Sequence, residues 1–343
     1  MNRTPAQKPI ASLSLDLDNK WAYLKTKGDS AWQDYPGYFE VAIPRMLEFL
    51  EQMKLTITFF VVGQDCALRE NHGPIREIAE AGHEIANHSF HHEPWLHLYT
   101  PEKLEEEFKR SEEAIFEVTG KKPVGFRGPG FSIADTVLKK LIQRGYEYDC
   151  TAFPTFIGPL ARAYYFVSAG SELSGREKES RKALFGRFSD GFQTLRPFKW
   201  KSGSETLLEL PITTMPFSRA PIHASYLLYL SGISRRLARL YFKKAMFMCS
   251  MTGITPSMLL HPLDFLGSED APDLGFLPAM DQPAITKIEL LQECLSMMTS
   301  RFDVGTMKRH ADAVREKTTA SRSIDQAIKG VSAEAIPVTP SAS

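Results

Sequence analysis

Leu55-Thr-Ile-Thr-Phe-Phe-Val-Val-Gly63 is rich in β-branched and aromatic residues and stops on glycine. Its length and composition predict a strand buried on both faces. Upstream, residues 39–55 carry Val41, Ile43, Met46, Leu47 and Leu50 at helical spacing. Before them, residues 10–16 alternate apolar and small polar side chains and run out into Asp16, which reads as a first strand. Downstream, a short helix over 74–81 closes at Gly82, and 83–87 reads as a strand. Thr100-Pro101 has the form of an N-cap followed by proline at the first helical position, and Gly120 stops that helix. Strands over 124–126 and 146–149 flank a helix over 134–144. Strand and helix alternate regularly, which predicts a parallel sheet or a barrel.

After Cys150 the rhythm breaks. Residues 153–201 are rich in Gly, Pro, Ser and charge and read as a long insertion or lid. A strand over 207–212, one or two helices over 223–251, a strand over 256–260 and a helix over 285–298 resume the pattern. From about Lys317 the chain turns to Ala, Ser, Thr and Pro, and this tail is expected to be disordered. In a barrel, functional side chains gather at the strand C-terminal ends.

The composition excludes several classes. Lys plus Arg and Asp plus Glu each number 41 in 343 residues, so no net charge draws the chain generally to nucleic acid or anionic lipid. The hydrophobic share of 43% suffices for a core. No apolar run is long enough to span a bilayer, and Met1 to Pro9 has no apolar stretch of the secretory kind. The four cysteines lie far apart with no C-x-x-C pair, which fits a reducing, cytoplasmic setting.

Four fragments carry groups able to do chemistry. Asp16 and Asp18 end the first strand two positions apart, so both project from one side. His88 and His92, at i and i+4, point the same way on a helical turn and can share a metal. With one of the two aspartates they form an Asp-His-His set that leaves positions open for water and substrate. The other aspartate is then free to act as a base. His91, His83 and His97 read as satisfied polar residues. Arg127 precedes a Gly-Pro-Gly turn whose N–H groups can face an oxyanion. His261 ends an apolar strand and can protonate a leaving amine.

In this order and spacing the fragments resemble the NodB-type polysaccharide deacetylases of carbohydrate esterase family 4, over roughly residues 12–298. Asn87-His88-Ser89-Phe90-His91-His92 is similar to the family's H-[ST]-x-x-H motif. Thr58 to Gly63 is similar to its second strand, Gly125-Phe126-Arg127-Gly128-Pro129 to its R-x-P motif, and Leu259-Leu260-His261 to its L-x-H motif. The resemblance implies an α/β fold, a deformed (β/α) barrel in one domain. It implies a hydrolase acting on carbon–nitrogen bonds other than peptide bonds, with a divalent metal, zinc first and Co2+, Mn2+ or Ni2+ as alternatives.

Carried over, Asp16 would be the base, Asp18, His88 and His92 the metal ligands, and Arg127 the anchor of the base. His261 would be the acid, with Gly130 supplying an oxyanion N–H and Phe131 a pocket wall. Three features depart from the family pattern, one being that Gly130 holds the place of the aromatic after R-x-P and Phe131 follows it. The family's aspartates are adjacent and followed by glycine, so here the roles of Asp16 and Asp18 are open to exchange. The acid that tunes the late histidine is Asp149, with Glu209 as rival.

The expected organisation is a tail over 1–9, a catalytic domain over 10–310 with an insertion at about 153–205, and a disordered tail over 311–343. The expected substrate is an N-acylated sugar or glycan precursor. A non-sugar amide hydrolase and a non-catalytic glycan-binding barrel are the rivals. Residues 226–251 are apolar with interspersed Arg and Lys. They read as a barrel-covering helix with a solvated basic face, or as a peripheral membrane element. Trp21, Trp32, Trp95 and Trp200 read as packed residues. The oligomeric state has no sequence signal.

Overall fold

The computed structural model describes residues 7–131, 133–156 and 191–324. Its strands are β1 (Ile10–Leu17), β2 (Thr58–Val61), β3 (Glu84–Asn87), β4 (Gly125–Phe126), β5 (Tyr148–Asp149), β6 (Phe198–Ser202), β7 (Glu205–Glu209), β8 (Ser257–Leu260), β9 (Asp303–Gly305) and β10 (Ser321–Ser323). The ladder order is β10-β6-β7-β5-β4-β3-β2-β1-β8, with β9 also on β1. Every pairing is parallel except β6 with β7.

β1 shows why the sequence folds this way. Ala11, Leu13, Leu15 and Leu17 point outward into the main core, where they meet helical residues such as Phe39, Ile43, Phe242 and Leu291. The alternate residues Ser12, Ser14 and Asp16 therefore face the barrel interior, although all three are buried. Asp16 stands opposite Phe60 of β2, and Ser14 opposite Leu259 of β8. The ring is completed by the chain leaving β7. Ile212 N–H donates to Ala152 O at 2.8 Å, Thr213 N–H to Ser257 O at 3.0 Å, and Ser257 N–H to Thr213 Oγ1 at 2.9 Å. That segment ties the β5 side to β8. The result is the deformed α/β barrel that the sequence implied.

The helices are α1 (Lys20–Lys27), α2 (Phe39–Met53), α3 (Gly63–Ala67), α4 (His72–Glu80), α5 (Pro101–Thr119), α6 (Asp135–Gln143), α7 (Ala224–Ile233), α8 (Arg235–Thr252), α9 (Ala284–Arg301) and α10 (Met307–Arg315). α5 begins as the sequence predicts: Thr100 Oγ1 accepts the Lys103 N–H, and Gly120 closes the helix at φ +69°. The 223–251 stretch is two helices, broken at Ser234, whose hydroxyl caps α8 through the Leu237 N–H. No helix among the described residues is long and apolar enough to cross a membrane. The four cysteines are buried free thiols.

Two boundaries differ from expectation. A disordered tail from 311 is wrong for its first part. Met307 and Ala311 of α10 pack with Phe60, Ala86, Tyr148, Cys150, Leu208 and Leu210 in a barrel-filling cluster. β10 then pairs with β6, Arg322 opposite Trp200. A lone helix of nine mostly polar residues is marginal by itself, and its contacts come from strands far away in sequence. The insertion expected over 153–205 also fails at its end, because β6 is an integral strand of the sheet. Residues 157–190 of that segment, and 325–343 of the expected tail, lie outside the described residues.

Candidate metal centre and active site

Asp16, Asp18, His88, Arg127 and His261 all lie at or just past the C-terminal ends of β1, β3, β4 and β8, so they share one rim of the barrel. His92 follows from the loop after β3. Its Nε2 is 3.0 Å from Asp18 Oδ1, and His88 Nε2 is 3.5 Å from the same oxygen. One ligand atom from each of the three residues lies within 4.8 Å of the others. Asp18 Oδ1 is buried without a hydrogen bond of good geometry, despite these two nitrogens beside it. Lone pairs converging on one point are what a small cation satisfies.

The orientation of His88 supports that fit. Its Nδ1 lies 2.7 Å from the Arg127 carbonyl oxygen, to which Nδ1–H donates. This fixes the tautomer with the Nε2 lone pair toward Asp18, as metal-binding histidines require. Burial opposes ionisation of Asp18, but the neighbouring imidazoles of His92, then His88, hold its carboxyl well below the usual range. Burial pushes His88 down from the ordinary imidazole value; Asp18 outweighs burial at His92 and raises it.

The loop geometry corrects one expectation. His88 and His92 do not converge through a helical turn, because residues 88–92 form no helix. Ser89 at φ +64° and His92 at φ +52° fold the loop back on itself. Glu107 of α5 holds that conformation. Its Oε1 accepts the N–H of Phe90 at 2.9 Å and of His91 at 2.8 Å, and its Oε2 meets His91 Nδ1 at 2.6 Å. His91 is thus a satisfied polar residue, as is His83, whose Nδ1 accepts the Ile57 N–H at 3.1 Å.

Asp16 faces a different partner. Arg127 donates from Nη1 to Asp16 Oδ1 at 2.5 Å and from Nε to Cys150 O at 3.1 Å. The guanidinium lies 4.1 Å from the centre of the Phe60 ring. Asp16 Oδ2 is 4.0 Å from His88 Nε2, so it faces the metal cluster. The spacing of the two aspartates therefore separates their surroundings: Asp18 sits among imidazoles and Asp16 against arginine.

The acid expected to tune His261 is placed elsewhere. Asp149 Oδ1 accepts the Thr151 hydroxyl at 2.6 Å, and Thr151 Oγ1 accepts the Gly128 N–H at 2.9 Å. Asp149 also pairs with Glu209, which accepts from Trp200 Nε1 at 2.7 Å and Ala152 N–H at 2.9 Å. Burial raises both carboxyls. Together they brace the Arg127 turn. His261 instead has Ser225 Oγ 3.2 Å from its Nδ1, and that hydroxyl donates to Asp264 Oδ1 at 2.8 Å. The sequence signal was present, a carboxylate three residues past His261, but nothing in the sequence marks Ser225 as its bridge.

Other residues went unread. Asp65 accepts from Asn19 Nδ2 at 2.8 Å and Trp21 Nε1 at 3.0 Å, and burial pushes its carboxyl up to about 7. The Trp21 ring stands edge-on to His92 at 6.4 Å. Phe131 packs on Phe153 at 4.9 Å, Phe153 on His223 at 5.9 Å, and His223 lies 6.5 Å from His261. These rings form a wall from the Gly130 turn to His261.

Comparison with known proteins agrees with this geometry. The polysaccharide deacetylase family model matches residues 31–148, which include His88, His92 and Arg127 but neither aspartate nor His261. A peptidoglycan deacetylase of Helicobacter pylori is 27% identical over 173 residues, 49% of this chain and 56% of that protein. The peptidoglycan-N-acetylmuramic acid deacetylase of Bacillus subtilis is 32% identical over 112 residues, 32% of this chain and 41% of that protein. The chain thus spans about half the length of the curated relatives it matches. The crystal structure of a putative polysaccharide deacetylase from Mycobacterium smegmatis shares the fold, with a TM-score of 0.59 at 23% identity over 93% of this chain and 94% of that one. Over residues 31–148 the chain is similar to the polysaccharide deacetylases, and it shares its fold with one of them.

Proposed function

We propose that the protein is a metal-dependent hydrolase that removes an N-acetyl group from an amino sugar of a glycan or glycan precursor. The observation that carries this reading is the convergence of Asp18, His88 and His92 beside a separate Asp16–Arg127 pair. Binding alone has no use for the second, tethered carboxylate. The names of the Helicobacter and Bacillus relatives supply the substrate class, an N-acetylated glycan.

Asp18, His88 and His92 would hold a divalent cation, with zinc the first choice for two imidazoles and one carboxylate. When bound, such an ion polarises an acyl carbonyl and makes water a better nucleophile. Arg127 holds Asp16 by Oδ1 and leaves Oδ2 toward the cluster, placed to accept a proton from the attacking water. His261, steadied by Ser225, protonates the departing nitrogen. The Gly130 N–H would serve the developing oxyanion, and the packed rings of Phe131 and Phe153 would shield the acyl methyl from water.

Acetate release from N-acetylglucosamine oligomers tests the reading, with Asp16→Asn and His261→Ala as comparisons. Each is expected to lower kcat by at least about a hundredfold. Acetate release that survives both substitutions refutes the assignment. Elemental analysis of the purified chain checks the metal separately, with one ion per chain expected for wild type and none for His88→Gln/His92→Gln.

A further inference from the structure

Helices α7 and α8 present a surface that the proposed chemistry does not use. The inner face of α8 is buried through Ala238, Phe242, Ala245, Met246 and Cys249. Its outer face carries Leu237, Leu240, Phe247 and Met251, with Lys244 completing the alternating three- and four-residue spacing of one helical stripe. Tyr229 and Ile233 extend the exposed apolar surface onto α7. These residues account for six of the twelve exposed large hydrophobic side chains among the described residues, so the patch is a concentration rather than ordinary scatter.

The charge carried by α7 and α8 themselves has one sign. Residues 224–252 contain five cations and no acid. Arg235 is paired with Glu289 and Glu293 of α9 at 2.9 and 3.0 Å, and Arg239 with Glu293 at 2.7 Å. Arg236, Lys243 and Lys244 are exposed and, among the described residues, make no ion pair. Arg236, Arg239, Leu240, Lys243 and Met297 line a shallow groove between α8 and α9. The Arg301 guanidinium, 5.9 Å from the Phe247 ring centre, adds a further cation at the edge.

We propose that this face docks on the surface of an anionic phospholipid bilayer. Exposed large apolar tips interleaved with unpaired cations suit the interfacial zone, where the tips enter the acyl boundary and the cations meet phosphates. A second copy of the chain is a poorer occupant. Two such helices would bring Arg236, Lys243 and Lys244 of each copy together with no acid on either helix to oppose them. The chain carries no net charge, so the attraction is local to this face. α7 also begins at Ala224, one residue before the Ser225 that touches His261, which puts the docking face within about one short helix of the site rim. The docking does not depend on the proposed hydrolysis.

Sedimentation of the full chain with phosphatidylcholine vesicles, with and without phosphatidylglycerol, tests this. Binding is expected to the mixed vesicles and to weaken with added salt. Lys243→Glu/Lys244→Glu is expected to lower that binding by at least about tenfold, at roughly fivefold per cation removed. Lys109→Glu, on exposed α5, is expected to leave it unchanged. Phe247→Trp supplies a positive signal, a blue shift of emission on mixed vesicles only. The variants carry exposed substitutions, and a thermal melt confirms their folding; should the double variant unfold, Arg236→Gln replaces it. Equal binding to both vesicle types, or undiminished binding by a folded charge variant, overturns the proposal. So does a salt-resistant dimer that Leu240→Ser dissociates, because a second copy then owns the face.

Discussion

Asp264 grips His261 from two directions. One carboxylate oxygen accepts the His261 backbone N–H at 2.7 Å, and the other accepts the Ser225 hydroxyl that stands 3.2 Å from His261 Nδ1. The carboxyl is buried, which raises it, while the nearby histidine works against that rise. Asp264→Asn is expected to lower kcat by about tenfold, with KM little changed. Ser225→Ala is expected to act the same way more weakly. An unchanged kcat in both variants removes the relay from the mechanism.

Glu107 makes a different demand. It is buried and supports three groups of the His88–His92 loop. Glu107→Ala leaves the buried Phe90 N–H unsatisfied and removes the acceptor of the half-buried His91 N–H and imidazole, at an expected cost of about 2 kcal/mol in stability. Because the loop also fixes His92, zinc affinity is expected to fall by about tenfold to a hundredfold. Urea unfolding and a competitive zinc titration measure the two effects separately. Glu107→Gln, which keeps the shape and one acceptor, is expected to recover part of each.

His310 gives the fold a pH dependence far from the catalytic rim. Its ring lies between Ser12 Oγ and Thr255 Oγ1, each at 2.9 Å, and burial pushes it down to about 4. Between about pH 6.5 and 4 the unfolded chain takes up a proton that the folded chain refuses. Stability from this residue is therefore complete above about pH 6.5 and is lost as pH falls toward 4, by about 3 kcal/mol. His310→Gln is expected to be less stable at pH 7 yet to lose less on acidification. Urea midpoints at pH 7 and 4.5 for both proteins show whether the slopes differ.

The C-terminal boundary is testable by truncation. Met307 and Ala311 fill the barrel, so a chain ended at Thr306 is expected to be insoluble or molten. One ended at Ile324 keeps α10 and β10 and is expected to melt cooperatively within a few degrees of the full chain. Near-ultraviolet circular dichroism and calorimetry distinguish the two results.

How much the sequence revealed depended on how local each signal was. The alternation in Ile10–Leu17 settled which side chains face inward, because the strand period of two is a covalent fact. It therefore also put Asp16 and Asp18 on one side. The Thr100-Pro101 start and Gly120 stop of α5 were legible for the same reason. Tertiary structure alone decided what the two aspartates face, since Arg127 and His88 reach them across the sheet from β4 and β3. It also decided that Asp149 braces a turn while Asp264 serves His261, and that α10 and β10 belong to the body. Apart from the local links of Asp149 to Thr151 and of Asp264 to the His261 N–H, these choices rest on contacts between residues tens to hundreds of positions apart. No window of sequence contains both partners of such a contact, so only the closed barrel could select among the carboxylates.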